Sequence, residues 1–123
     1  MYLGLGEVKN LAQVKLNGTE LGILWKPPFR VDIASAAKPG TNHLEISVVN
    51  LWPNRLMGDE QLPLDIEWLP SGGLAKWPQW LLDGSPNGRL TFTTWRHISK
   101  EMPLLPSGLL GPITQPAKWI TAN

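Results

Sequence analysis

The chain has 123 residues, with 11 basic and 10 acidic side chains, a formal net charge of +1 and no cysteine. A near-neutral balance without a run of like charge excludes the electrostatic footprint of a nucleic-acid-binding protein. No apolar stretch reaches the roughly 20 residues of a membrane span, and the absence of cysteine excludes disulfides and thiolate chemistry. We therefore expect a single domain over residues 1–123 with its own hydrophobic core.

Glycine and proline, 12 residues each, predict short segments separated by turns. The first signal is a hairpin, because the alternating residues Val14 and Leu16 precede Asn17-Gly18, a pair typical of a two-residue turn. Residues 20–25 then read as the returning strand, which Pro27 ends because proline has no N–H to donate to a sheet.

The next segments also predict antiparallel structure. Apolar residues alternate over 29–33, a single helical turn is expected over 34–38, and Pro39-Gly40 suits a type II turn. The clearest strand follows over 42–50. Its inward face is expected to carry Leu44, Ile46 and Val48.

The second half of the chain is less regular. Residues 51–63 read as a loop, LWPNRLMGDEQLP, and strands are predicted over 64–68 and 89–95. The segment 77–82 predicts either a short helical turn or a surface loop. Five to seven short strands in all favour an all-β fold, an antiparallel β-sandwich. The start of the chain, residues 2–7, reads as the inside of a strand rather than the approach to one, so we expect that the chain has been cut from something longer.

Several motifs resemble a known family of domains. The run Val8 to Pro63 contains A-x-V-x-L-N-G, P-F-R-V-D-I and K-P-G-x-N-x-L-E-I-x-V-x-N, and is similar to the galactose-binding-like jelly-roll domains of large bacterial glycoside hydrolases, a pattern shared with family 2 glycosidases. NLWPNRLMGDEQLP and PLLPSGLLGPI resemble more narrowly the C-terminal sandwich of the family 106 α-L-rhamnosidases.

The resemblance implies a non-catalytic jelly-roll domain, a fragment or C-terminal domain of a larger glycosidase, which supports a separate catalytic barrel. Implied partners are the catalytic domain of that parent enzyme and a polysaccharide or oligosaccharide, and the implied location is periplasmic or extracellular in a bacterium. Members of the family begin their sandwich with further strands, so the resemblance also implies that N-terminal strands are missing here. An incomplete jelly roll would leave an open sheet edge, and such edges recruit neighbours. We therefore expect a homodimer paired through that edge or marginal stability in solution. The alternative is an independent carbohydrate-binding module that uses exposed tryptophan faces.

The segment 51–63 holds five candidate site residues, and three interpretations stay open. In the first, Arg55 binds Asp59 or Glu60 and pins a turn, while Trp52 covers the end of the core. In the second, the loop docks on the catalytic domain. In the third, Trp52 stacks on a sugar whose hydroxyls bind Asn54, Arg55 and Asp59.

Two further tryptophans, Trp77 and Trp80, are spaced to share one side of a helical turn, where they would stack on a sugar or cap the sandwich. His43 and His97 have no second ligand at a suitable spacing, so no transition-metal site is predicted. No cofactor is expected. Jelly-roll modules often carry a structural calcium, but no Asp-rich spacing places one here.

Carboxylate pairs are the remaining chemical candidates, because glycoside hydrolysis uses two carboxyl groups about 5 to 10 Å apart. Asp59 and Glu60 are sequence neighbours and are expected to point apart. Asp65 and Glu67 would share one strand face, which we expect to be solvated. We therefore predict no catalytic residue in this chain.

Overall fold

A computed structural model of the chain describes residues 1–63, 65–84 and 88–115. These residues form two compact units. The first contains Met1–Leu51 with the described part of Pro106–Asn123, and the second contains Trp52–Leu105. The prediction that residues 1–123 form one domain stays a prediction.

The first unit contains the strands of the described chain. In order they are β1 (Tyr2–Gly4), β2 (Glu7–Lys9), β3 (Leu11–Leu16), β4 (Thr19–Leu24), β5 (Arg30–Asp32), β6 (Leu44–Val49) and β7 (Gly108–Gly111). They pair antiparallel in three small sheets, with the orders β4-β3-β6, β1-β5 and β2-β7. The all-β class is therefore confirmed, while the jelly-roll arrangement stays a prediction.

The predicted hairpin joins β3 to β4. Asn17 and Gly18 have φ values of 52° and 80°, and a type I′ turn requires positive φ at both positions. Leu16 pairs with Thr19 across this turn. The Asn17 side chain also accepts a 2.9 Å hydrogen bond from the backbone N–H of His43, so the turn is tied to the start of β6.

Strand β4 departs from strict alternation. A register shift in its pairing with β3 leaves Leu21 as an extra residue, a β-bulge. As a result, Leu21 and Leu24 both pack against the core although they lie three positions apart. Ile23 and Trp25 are 58% and 67% exposed, so this end of the strand presents large apolar side chains to solvent.

One hydrophobic core connects the three sheets of the first unit. Its buried members are Leu3, Leu5, Val8, Ala12, Val14, Leu16, Val31 and Ile33. Full burial of a valine or leucine side chain contributes about 1.5–3 kcal/mol. Leu44, Ile46 and Val48 are half-buried and pack against this core, which confirms the predicted inward face of β6.

The second unit contains the two helices, α1 (Pro53–Asp59) and α2 (Gln79–Leu82). The prediction of a loop over 51–63 was wrong, because α1 occupies its centre. Pro53 lies at the first helical position, where its missing N–H costs nothing and its fixed φ suits the helix. The helix buries Met57, which is 3% exposed.

The predicted strands over 64–68 and 89–95 do not form among the described residues, and Leu64 lies outside them. The regions hold two isolated antiparallel bridges, Trp68 to Leu74 and Gly73 to Trp95. The strand predicted over 89–95 does not form because the N–H groups of Leu90 and Thr91 donate to a carboxylate rather than to a partner strand.

Candidate functional site

The candidate residues of the segment 51–63 lie on or beside α1. Near its start, the Asn54 side chain makes two 2.8 Å hydrogen bonds with one residue: its Nδ2 donates to the Leu105 carbonyl, and its Oδ1 accepts from the Leu105 N–H. The amide thus satisfies both backbone groups of Leu105, as a neighbouring strand would. These bonds attach the first turn of α1 to the PLLP segment.

Asp59, at the end of α1, is a carboxylate with several bonding partners. Its Oδ1 lies 3.0 Å from Nη2 of Arg55, one helical turn earlier. Its Oδ2 accepts three hydrogen bonds: 3.0 Å from the Leu90 N–H, 2.7 Å from the Thr91 N–H and 2.8 Å from the Thr91 hydroxyl. The side chain is only 4% exposed. Asp59 therefore fixes the position of Leu90 and Thr91 relative to the end of α1.

The electrostatics of Asp59 follow from these contacts. Burial is the largest influence and raises the pKa of the carboxyl. The hydrogen bonds from the Thr91 hydroxyl and from the N–H groups of Thr91 and Leu90, with the charge of Arg55, together outweigh burial and lower the pKa of Asp59 below its ordinary value. The group is therefore ionised at neutral pH.

Arg89 is a buried cation that binds two carboxylates of this unit. Its guanidinium lies 2.9 Å from Oε1 of Glu60 and 3.2 Å from Oδ1 of Asp65, and its side chain is 2% exposed. The sequence placed Arg89 only at the start of a strand. A sequence feature that could have pointed to Arg89 is the run 59–67, which has four acidic residues and no basic one. Carboxylates grouped in this way need a cation from another segment if they are buried. Asp65 is correspondingly half-buried on Arg89, which corrects its predicted place on a solvated strand face.

Trp52 does not cover the end of a core, as one interpretation expected. It lies immediately before α1 and is 65% exposed. The helix turns Met57 and Asp59 to its buried side, so a residue at its N-cap position is left at the surface. Trp52 is therefore an exposed indole.

Trp77 and Trp80 both contact Phe92 edge-on, with ring centroids 6.0 and 5.9 Å away. Of the two alternatives predicted for 77–82, the short helix forms, as α2, and Trp77 lies just before it. Trp80 is half-buried, whereas Trp77 is 55% exposed. The two indoles thus share a packing partner and differ in their access to solvent.

A cavity of about 340 Å³ lies beside the exposed Trp77. Leu74, Lys76 and Thr94 also line it. The Lys76 ammonium is paired with Glu67 at 2.6 Å, both at the surface. The cavity therefore combines an indole, aliphatic groups and the ammonium of Lys76.

The ion pair of Arg55 with Asp59 is the contact that the pinned-turn interpretation expected, although the pinned element is a helix end, whereas Glu60 is paired with Arg89 and Asn54 with Leu105. Their assignment to a sugar or interdomain site stays a prediction. In the described ranges, no group of three or more His, Cys, Asp or Glu residues could hold a metal ion. The helices found in the same ranges are too short to cross a membrane.

The chain thus contains a β-rich first unit, and a second unit in which Asp59, Glu60 and Asp65 form ion pairs with neighbouring arginines. No protein-family model matches the sequence. The chain is 51% identical over 115 residues to a "Putative beta-glucuronidase" of Formosa agariphila, a match that covers 92% of this chain and 10% of the relative. It is 37% identical to the solved rhamnosidase from Novosphingobium sp. PP1Y, with a TM-score of 0.66, over 91% of this chain and 8% of that one.

These matches confirm the predicted resemblance to glycoside hydrolases and to rhamnosidases in particular. The chain spans about a tenth of the length of each relative. It therefore corresponds to a small part of each of these two much larger proteins.

Proposed function

We propose that this chain is a non-catalytic accessory domain, with a jelly-roll arrangement, of a glycoside hydrolase related to the α-L-rhamnosidases, and that it supports a separate catalytic domain. The observation that carries the proposal is the match of more than nine tenths of the chain to a small part of two large glycosidases. Its partner is accordingly the catalytic domain of a parent enzyme in a periplasmic or extracellular bacterial setting.

The chemistry of the second unit supports a structural role. A glycosidase needs one carboxyl group to give a proton and another to act on the sugar or on water. Asp59 is ionised and bound by four donors, and Glu60 and Asp65 are bound to Arg89. These carboxylates are held by the fold and are unsuited to either task.

A domain exchange tests the supporting role. The matching segment of the Novosphingobium rhamnosidase is deleted, or replaced by this chain, and the release of nitrophenol from an aryl α-L-rhamnoside is measured. We expect no activity from this chain alone, loss of soluble active enzyme on deletion, and recovery when this chain is inserted. Aryl rhamnoside hydrolysis by the isolated chain, abolished by Asp59→Asn or Glu60→Gln, would contradict the proposal.

An independent carbohydrate-binding module is the second candidate. The exposure of Trp77 beside a cavity of about 340 Å³ favours it, because a flat indole face suits a sugar ring. Glycan-array binding by the isolated chain separates the two functions, with Trp77→Ala and Trp52→Ala as the diagnostic variants. Binding lost in one of them supports the module, and an array without any bound glycan supports the accessory role.

Self-association is proposed through an edge of the sheet β4-β3-β6, in which β4 and β6 each pair with β3 alone among the described strands. Such an edge offers unpaired backbone donors and acceptors to a second copy. Analytical ultracentrifugation at micromolar concentration should show a dimer or a poorly stable protein. A stable monomer would argue against pairing.

A further inference from the structure

A groove in the first unit lies where β4 ends. Its volume is about 650 Å³, inside the range of roughly 300–1,000 Å³ found for ligand-binding pockets. Trp25, Pro27 and Phe29 line it, together with Gly4 and residues 6–10. Trp25 is 67% exposed because the bulge in β4 turns Leu24 inward and leaves the next side chain outward. The groove thus has an accessible indole.

The same groove carries unneutralised positive charge. Arg30 lines it, and its guanidinium lies over the Tyr2 ring at 5.1 Å from the centroid. The Lys26 ammonium lies 5.1 Å from the centroid of the Trp25 ring. Within the described residues, neither Arg30 nor Lys26 has a carboxylate within ion-pair distance. A ligand on the indole would therefore lie close to two cations.

A second cation and a carboxylate also line the groove. Lys9 and Glu7 are paired at 3.2 Å, and both are substantially exposed. Asn10 adds an exposed amide that can donate and accept. The lining therefore carries two cations, Arg30 and Lys9, against the one anion Glu7, and the Lys26 ammonium lies beside the Trp25 ring; this balance favours an anionic ligand over a neutral or basic one.

We propose that this groove binds an anionic saccharide, with the Trp25 indole stacked on a sugar ring and Arg30 and Lys9 contacting its carboxylate or sulfate group. The choice of a saccharide among anionic ligands rests on the proposed function. The choice of an anion rests on the groove itself. Guanidinium binds planar carboxylates and sulfate esters through paired donors, and an indole offers the flat apolar face that the C–H side of a pyranose covers.

Isothermal titration calorimetry of the full chain tests the proposal with three probes: an oligogalacturonate tetrasaccharide, a sulfated carrageenan tetrasaccharide and neutral maltotetraose. We expect binding of at least one anionic probe, no binding of maltotetraose, and weaker affinity as salt rises. The two anionic arms distinguish a carboxylate ligand from a sulfate ligand. Equal binding of the neutral probe, or no binding of either anionic probe, overturns the proposal; the second outcome leaves the groove as a contact surface for another protein.

Matched variants locate the binding. Trp25→Ala and Arg30→Gln should each weaken the affinity about tenfold or more, while Trp25→Phe retains most of it. Trp95→Ala removes an indole of comparable exposure, 54%, outside the groove, and Lys38→Gln removes an exposed cation outside the groove; both should bind as the unaltered chain does. Loss of affinity in these controls, with Trp25→Ala unaffected, contradicts the proposal. The domain exchange remains a separate readout, because a Trp25→Ala chain should still restore rhamnosidase activity.

Discussion

The carboxylate of Asp59 accepts a 2.7 Å hydrogen bond from the backbone N–H of Thr91, 32 residues further along the chain. The Thr91 hydroxyl donates to the same oxygen at 2.8 Å. A helix end and an irregular segment are thereby held together by one buried side chain, and this arrangement explains why residues 89–95 do not form a strand.

Replacing Asp59 by asparagine tests that role. The substituted amide would keep the size of the side chain but lose its charge and part of its accepting capacity, so Asp59→Asn should cost about 1–3 kcal/mol of stability at pH 7. Amide hydrogen exchange at Leu90 and Thr91, together with denaturant unfolding, measures the change. Asp83→Asn, at an exposed carboxylate, is the control and should change stability little.

We also predict how the stability difference between the unaltered chain and Asp59→Asn depends on pH. Because the folded pKa of Asp59 is lowered, its ionised form stabilises the fold above the unfolded pKa of about 4, and this stabilisation is lost as the pH falls through the folded pKa. The stability difference between the unaltered chain and Asp59→Asn should therefore shrink from pH 7 toward pH 3. A difference that stays constant or grows over that range would contradict the assignment.

Arg89 should be among the most sensitive positions of the second unit. Arg89→Met leaves Glu60 and Asp65 without the cation that faces them, and removal of one partner from a buried ion pair costs about 3–5 kcal/mol. Urea unfolding followed by tryptophan fluorescence provides the measurement. Arg96→Met, at an exposed arginine, should remain within experimental error of the unaltered chain, and equal effects at both positions would refute the buried role of Arg89.

Two glycines should respond in opposite directions to alanine. Gly6 has φ +66°, and a Cβ there would overlap the backbone of Gly111 and Pro112, so Gly6→Ala should destabilise the first unit by more than about 1 kcal/mol. Gly58 lies in α1 with open space around it, so Gly58→Ala should stabilise by about 0.5–1 kcal/mol. Thermal unfolding of both variants measures the two changes in stability. If both variants were stabilised, or both destabilised, the prediction would be contradicted.

The tryptophans that contact Phe92 should differ in their effect on stability. Each edge-on contact contributes about 0.5–1.5 kcal/mol, but Trp80 is half-buried whereas Trp77 is 55% exposed. Trp80→Ala should therefore destabilise more than Trp77→Ala in denaturant unfolding. Equal losses would mean that Trp77 caps the unit as fully as Trp80 does and would weaken its candidacy for sugar binding.

The first half of the chain could be predicted because its signals are local. A two-residue turn needs positive φ at Asn17 and Gly18, and a half-buried strand needs the alternation of Leu44, Ile46 and Val48. Both requirements are visible in consecutive residues. The bulge at Leu21 was not visible, because it depends on how β4 pairs with β3.

In the second half the sequence by itself determined that Arg55 lies close to two carboxylates, which gave its binding to Asp59 or Glu60 as one of three interpretations of that short segment. Only the tertiary structure decided that Asp59 binds Leu90 and Thr91, that Arg89 is buried between Glu60 and Asp65, and that an outward Trp25 borders a cationic groove. Such contacts depend on which distant segments meet in the folded chain, and the alternation of apolar and polar residues within one segment does not indicate this. Contacts between residues that are close in the chain can be predicted from composition and spacing. Contacts between distant segments cannot, because they depend on which side chains are buried together and how their charges are balanced.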